Sequence, residues 1–182
     1  MALTVEQERV LEAVRALPLN AKKHEGKEYE SLPDGPAELG DLLPQTGISA
    51  LRPEIHGPVL FLVGDVNTAL GRIGYQARIV ETRRTAARQL YLWGIGRLYK
   101  APGRTGAVTR AKFLAQTAHA EGLAFDLWYV RADGSLGEEK SWLPILQAQA
   151  PRLLDVYGMV WGGTFSRPDY PHFEEINWRR VP

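Results

Sequence analysis

The stretch LAFDLWYV, Leu123 to Val130, constrains this chain more than any other. Period-two alternation puts Leu123, Phe125, Leu127 and Tyr129 on one face of a strand and Ala124, Asp126, Trp128 and Val130 on the other. The larger apolar set must be buried against another element, so the segment belongs in a sheet with a covered side. Asp126 is then a carboxylate in a half-buried strand, a placement that is costly unless a positive partner answers it. His119, one of four histidines in 182 residues, stands seven positions upstream. Gly122 between them permits a tight turn that lets His119 fold back beside Asp126, which would give two ligands for a divalent ion.

A third candidate ligand lies in PDYPHFE, where Asp169 and His172 are framed by Pro168 and Pro171. The prolines stiffen this segment and restrict its geometries. The chain has no cysteine, so imidazole and carboxylate are the strong metal ligands on offer, and disulfide staples are excluded. Two histidines, one aspartate and an open position suit Zn2+, whose bound water is acidic enough to attack at neutral pH. Asp169, three residues before His172, is the candidate to accept that water's proton. Each residue also has a plain reading: His119 as a turn residue, Asp126 paired with an arginine, Asp169 as a turn initiator.

Elsewhere the chain reads as a mixed α+β domain. Thr4 and Gln7 have capping-box spacing ahead of Val10, Leu11, Val14 and Leu17, which predicts a first helix ending at Pro18. Residues 20–57, with Pro33, Pro36, Pro44 and Pro53, read as an extended wrapping segment in which His24 and His56 are solvated. Residues 1–57 are therefore expected to form an N-terminal helix and wrap, and residues 58–182 the main domain. From Pro58, Val59, Leu62, Val63, Val66 and Leu70 suit a helix, and YQARIVET (75–82) alternates like a strand. A helical stretch follows to the glycines at 94 and 96, then a loop over APGRTGAV. Beyond the strand at 122–130, Asp133–Gly134 marks a turn. Residues 141–157 form an amphipathic helix despite Pro144 and Pro151, with Gly158 as its C-cap. The tail is short strand, glycine turn, proline-framed loop and strand.

Three of these segments together resemble one family. HAEGLAFD has the form His-x-x-Gly-x-Ala-x-Asp, and WGGTFSRPDYPHFE carries Trp-Gly-Gly followed by Asp-x-x-His-Phe-Glu. ETRRTAARQLYLWGIGR has the form Arg-Thr-x-x-x-Gln followed by Gly-Arg, through Arg84, Thr85, Gln89, Gly96 and Arg97. In this order they are similar to the zinc D,D-peptidase and L-alanyl-D-glutamate endopeptidase family that cuts peptidoglycan stem peptides. The resemblance spans roughly residues 75–178. It implies a small antiparallel sheet with flanking helices, a Hedgehog/DD-peptidase-like zinc peptidase fold. It also implies His119, Asp126 and His172 as zinc ligands, Asp169 as general base, and Arg84, or its neighbour Arg83, as the cation at the polarised carbonyl. Thr117 stands where the family has serine and keeps the hydroxyl. Trp161 and Gly162 read as a cleft wall against the substrate or, for Trp161, as a core residue. Trp128 and Tyr170 read as core or rim, and Glu121 and Glu174 as solvated or structural.

The resemblance further implies hydrolysis of a stem-peptide amide bond, with L-Ala–D-Glu favoured on likeness to the phage endolysin branch. Two other readings are a D-alanyl-D-alanine carboxypeptidase or dipeptidase, and a wall-binding or virion structural protein that keeps the zinc cage. Net charge is +1 from 22 basic and 21 acidic residues, which gives no overall field for nucleic acid or an anionic membrane. The longest apolar run, PVLFLV, is far too short to cross a bilayer. The start MALTVEQERVLEAV carries Glu6 and Glu8 where a signal peptide would be basic. These features lead to the expectation of a monomer made in the cytoplasm without a signal peptide, acting at the bacterial wall after release.

Overall fold

The computed structural model describes residues 44–85, 88, 89, 92 and 117–180. The helix expected before Pro18, most of the wrapping segment, and Gly96, Arg97 and the loop at 101–108 lie outside these residues. The chain forms two units by internal contact, Gln45–Arg83 with Glu121–Pro182, and Met1–Pro44 with Arg84–Ala120.

The first of these units is a four-stranded antiparallel sheet with two long helices. After a 3-10 turn at Ile48–Ala50 come helix α1 (Pro53–Gly71), strand β1 (Tyr75–Glu81), strand β2 (Ala124–Arg131), helix α2 (Glu139–Tyr157), and strands β3 (Met159–Trp161) and β4 (His172–Glu175). The order across the sheet is β1-β2-β4-β3. This is the α+β architecture with a small antiparallel sheet expected from the sequence.

α1 begins at Pro53, five residues ahead of the sequence expectation. Proline is well suited to the first helical position, because its missing N–H would have no intrahelical partner there. His56 therefore lies in a helix rather than a wrap, with its Nε2 2.9 Å from the Leu51 carbonyl oxygen. Ile55, Val59, Leu62, Val66 and Leu70 form the buried stripe, each contributing about 1.5–3 kcal/mol relative to exposure. α2 carries its own stripe of Trp142, Leu146, Ala150 and Leu153. It ends where Gly158, at φ 65°, donates its N–H to the carbonyls of Leu153 and Leu154.

α1 packs on β1, α2 on β3, and the helices on each other. The sheet face they cover holds Phe125, Leu127, Tyr129, Met159, Trp161 and Phe173, all buried. Phe125 and Phe173 stack at 5.2 Å between centroids, and Tyr129 meets Trp142 of α2 at 4.3 Å. The alternation read in LAFDLWYV is thus realised, with Asp126 on the face away from the helices.

The register places Asp126 opposite His172 on β4 and opposite Glu81 on β1. A one-residue irregularity between Ile79 and Glu81 lets Glu81 face Asp126. The second unit is described at few positions. Residues 88, 89 and 92 are helical, Gln89 is buried, and Thr85 Oγ1 accepts the Arg88 N–H at 3.1 Å.

Candidate metal centre

Three local pieces of chain build the site. The first is the turn 117–122. His119 N–H donates to Thr117 Oγ1 at 3.2 Å, and Ala120 N–H to the Thr117 carbonyl at 3.1 Å. The Thr117 hydroxyl therefore shapes the turn that presents His119. Gly122 closes the turn at φ 68°, where a Cβ would also meet the Ala50 carbonyl oxygen and the Arg52 nitrogen at 3.2 Å. Arg52 binds the turn through its Nε to the Glu121 carbonyl and through a guanidinium nitrogen to Glu121 Oε2, at 3.1 and 3.2 Å. Glu121 is thus structural. Arg84 N–H donates to the His119 carbonyl oxygen at 3.1 Å, while neighbouring Arg83 is exposed and Arg84 half-buried.

The second piece is the β2–β4 pair. His172 Nδ1 lies 3.1 Å from Asp126 Oδ1, and its Nε2 lies 3.1 Å from Glu174 Oε2. Burial is the largest influence on the imidazole and lowers its pKa. Hydrogen bonds and charge from Asp126 and Glu174 together outweigh it and raise His172 to about 9. Burial likewise pushes the Glu174 carboxyl up, and the His172 bond and charge bring it below its ordinary range. Sequence reasoning passed over Glu174 as solvated or structural. The signal that finds it is strand periodicity: His172 and Glu174 are two apart on β4 and so share a face.

The third piece is the loop from Gly162 to Pro171. Trp161 is 2% exposed and donates its indole N–H to the Tyr170 carbonyl at 2.8 Å, where the Tyr129 hydroxyl also donates at 3.2 Å. Burial pushes the Tyr129 phenol well above its ordinary range, so it stays a donor. Leu127 N–H donates to the Pro171 carbonyl at 2.8 Å, and Asp169 N–H to the Gly162 carbonyl at 3.0 Å. A Cβ on Gly162 would collide with the Asp169 carbonyl oxygen and come within 3.1 Å of His172 Cβ. Of the two readings of Trp161, its burial favours the core one: Trp161 and Gly162 hold the loop that carries Asp169 and delivers His172. Asp169 itself is exposed, and its carbonyl accepts the His172 N–H at 3.1 Å.

His119, Asp126 and His172 each offer one ligand atom, and these atoms all lie within 4.8 Å of one another. His119 and His172 are buried and Asp126 half-buried. Two imidazoles and one carboxylate gathered this closely suit a divalent cation that prefers nitrogen and oxygen donors.

Among the described residues no helix is long and apolar enough to cross a membrane. No curated protein matches the sequence significantly. Seven solved chains match. One is the crystal structure of the Serratia marcescens L-Ala D-Glu endopeptidase ChiX, at 18% identity and TM-score 0.46, over 75% of this chain and 92% of that one. The family model described as D-alanyl-D-alanine carboxypeptidase matches residues 112–175, a span that contains His119, Asp126, Asp169, His172 and Glu174. Over that segment, about a third of its length, the chain is similar to the D-alanyl-D-alanine carboxypeptidase family of peptidases.

Proposed function

We propose that this chain is a zinc-dependent peptidoglycan hydrolase that cleaves a stem-peptide amide bond, with L-Ala–D-Glu as the bond. The observation that carries the reading is the convergence of the His119, Asp126 and His172 ligand atoms within 4.8 Å of one another. These three residues would hold the ion, and Glu174, bonded to Nε2 of His172, leaves Nδ1 as the nitrogen turned toward Asp126. Zinc bound there supplies Lewis acidity, polarising a carbonyl and making a water acidic. Asp169 takes a proton from the attacking water and gives it to the departing amine nitrogen as the C–N bond breaks. The Arg84 guanidinium offsets negative charge growing on the carbonyl oxygen. Thr117 acts through the amide of His119, and Trp161 and Gly162 act through the Asp169 loop.

As a peptidoglycan hydrolase it would work as a monomer at the bacterial wall, in the manner of an endolysin made in the cytoplasm and released later. Mass spectrometry of purified peptidoglycan after incubation with the zinc-loaded protein tests this. New amino termini on D-Glu support the L-Ala–D-Glu assignment. Free D-alanine would instead support the carboxypeptidase reading, which the description of the matching family favours. No released fragment with either bond would leave a non-catalytic wall or virion protein as the better account.

A further inference from the structure

β2 is an inner strand, and its apolar residues Ala124, Phe125, Leu127, Tyr129 and Val130 are all buried. Trp128 is the exception at 44% exposure. It follows Asp126 on the same face of the strand, one pleat repeat away, a separation of roughly 7 Å. Its cross-strand partner on β1 is Arg78, which puts the two Cβ atoms about 5 Å apart. Arg78 is exposed, bonds Gln76 Oε1 at 3.4 Å, and has no ion-pair partner among the described residues. Leu136, 60% exposed, bridges to Val130 and extends the apolar strip. The same face carries Glu81, Asp126 and Glu174 at its centre, so Arg78 places a positive charge beside an acidic cluster.

An indole left open on an inner strand next to a candidate reaction centre is a binding surface rather than unfinished core. We infer that Trp128 and Arg78 form a substrate subsite that holds a carboxylate-bearing residue of the stem peptide one or two positions from the cleaved bond. This rests on the hydrolase reading above. An extended peptide advances 3.3–3.6 Å per residue, so a chain cleaved beside Asp126 and His172 brings its second residue over Trp128. The indole takes the apolar part of that residue, and the planar guanidinium matches a carboxylate in a two-point bond. The substrate class is thereby narrowed to stem peptides with a free carboxylate at that position, against those in which it is amidated.

The test uses two synthetic stem peptides that differ only in that carboxylate or carboxamide, with the zinc-loaded full chain. Wild type is expected to favour the carboxylate peptide through KM. Arg78→Gln should raise KM for it roughly five- to tenfold, with kcat retained and the amidated peptide unaffected, in line with one charge-assisted contact at a partly exposed site. Trp128→Ala should raise KM for both peptides, with Trp128→Phe recovering most of the loss. KM values for Arg78→Gln and Trp128→Ala within twofold of wild type on both peptides would overturn the subsite while leaving hydrolysis intact. If wild type cuts neither peptide nor peptidoglycan, the hydrolase reading is what has failed. Titration calorimetry with the same two peptides then decides the subsite by itself: equal affinity of wild type and Arg78→Gln for the carboxylate peptide overturns it, and a selective loss supports it.

Discussion

Glu174 is the residue whose part in the site was hardest to foresee. Its carboxylate lies 3.1 Å from Nε2 of His172, which under the proposed function leaves Nδ1 for the metal, and loss of such a partner typically weakens metal binding by about 10- to 100-fold. Glu174→Ala is therefore expected to lower zinc affinity by that order in a competition assay with a chromogenic chelator, and Glu174→Gln, which keeps an acceptor oxygen, by less. Asp169 makes the complementary case. Asp169→Asn should retain zinc at wild-type stoichiometry by elemental analysis yet lose most turnover, by about 10²- to 10⁴-fold for a lost proton-transfer group. Near-native hydrolysis by that variant would remove Asp169 from the role of base. The three candidate ligands His119, Asp126 and His172, which the fold gathers within 4.8 Å of one another, stand out in the sequence because local chain marks them: a glycine turn, an interrupted strand and a proline-framed loop. Glu174 does not, because its importance depends on which face β4 turns toward β2, and four residues of strand do not declare their pairing.

At the level of elements, the glycine turn after β3 and the tie between the helices are the features most open to test. Gly162→Ala must displace either the Asp169 carbonyl or His172, and a forced backbone shift of this kind costs roughly 1–3 kcal/mol. Urea denaturation should show that loss, together with weaker metal binding, since His172 moves with the loop. The helices are joined at the surface where Asp65 accepts bonds from the Tyr157 hydroxyl at 2.6 Å and from Arg152 at 2.8 Å. The Tyr157 bond first, then that of Arg152, holds the Asp65 carboxyl below its ordinary range, and the same bond raises the Tyr157 phenol above its own. Asp65 thus stabilises the fold above its unfolded pKa, and that contribution disappears as pH falls through the lowered value. Tyr157 stabilises it below its unfolded pKa, and that contribution is lost as pH rises through the raised one. The stability difference between wild type and Asp65→Asn should hold steady between about pH 5 and 9 and shrink below about pH 4. A difference that persists unchanged at pH 2 would contradict this. Sequence periodicity located β1, β2 and α2 well, since each has a long regular pattern. It started α1 late because Pro53 reads as part of the proline-rich extended segment and Pro58 as the helix start, although Pro53 can open a helix and Pro58 is absorbed within its early turns.

For the molecule as a whole, the sheet order could not be read from the sequence, because it joins strands separated by dozens of residues through contacts that local pattern does not encode. Its effect is to draw one acid from β2 and one histidine from β4 into direct opposition. A ligand set assembled this way should couple metal to folding. Zinc at about 100 times its dissociation constant is expected to stabilise the protein by about 2.7 kcal/mol. A chelator should reverse that shift in a thermal melt, and an unchanged melt in excess zinc would argue against a bound ion. The stacked rings of Phe125 and Phe173 take on a further meaning here. They lie directly across from one another, one step along from Asp126 and His172 on the helix-facing side. A slip of β4 by a single residue would carry the imidazole inward among the helices and thrust a phenyl ring outward. The aromatic pair thus serves as an alignment gauge for chemistry on the opposite surface, and repacking this apparently inert interior should alter the reaction centre without touching it.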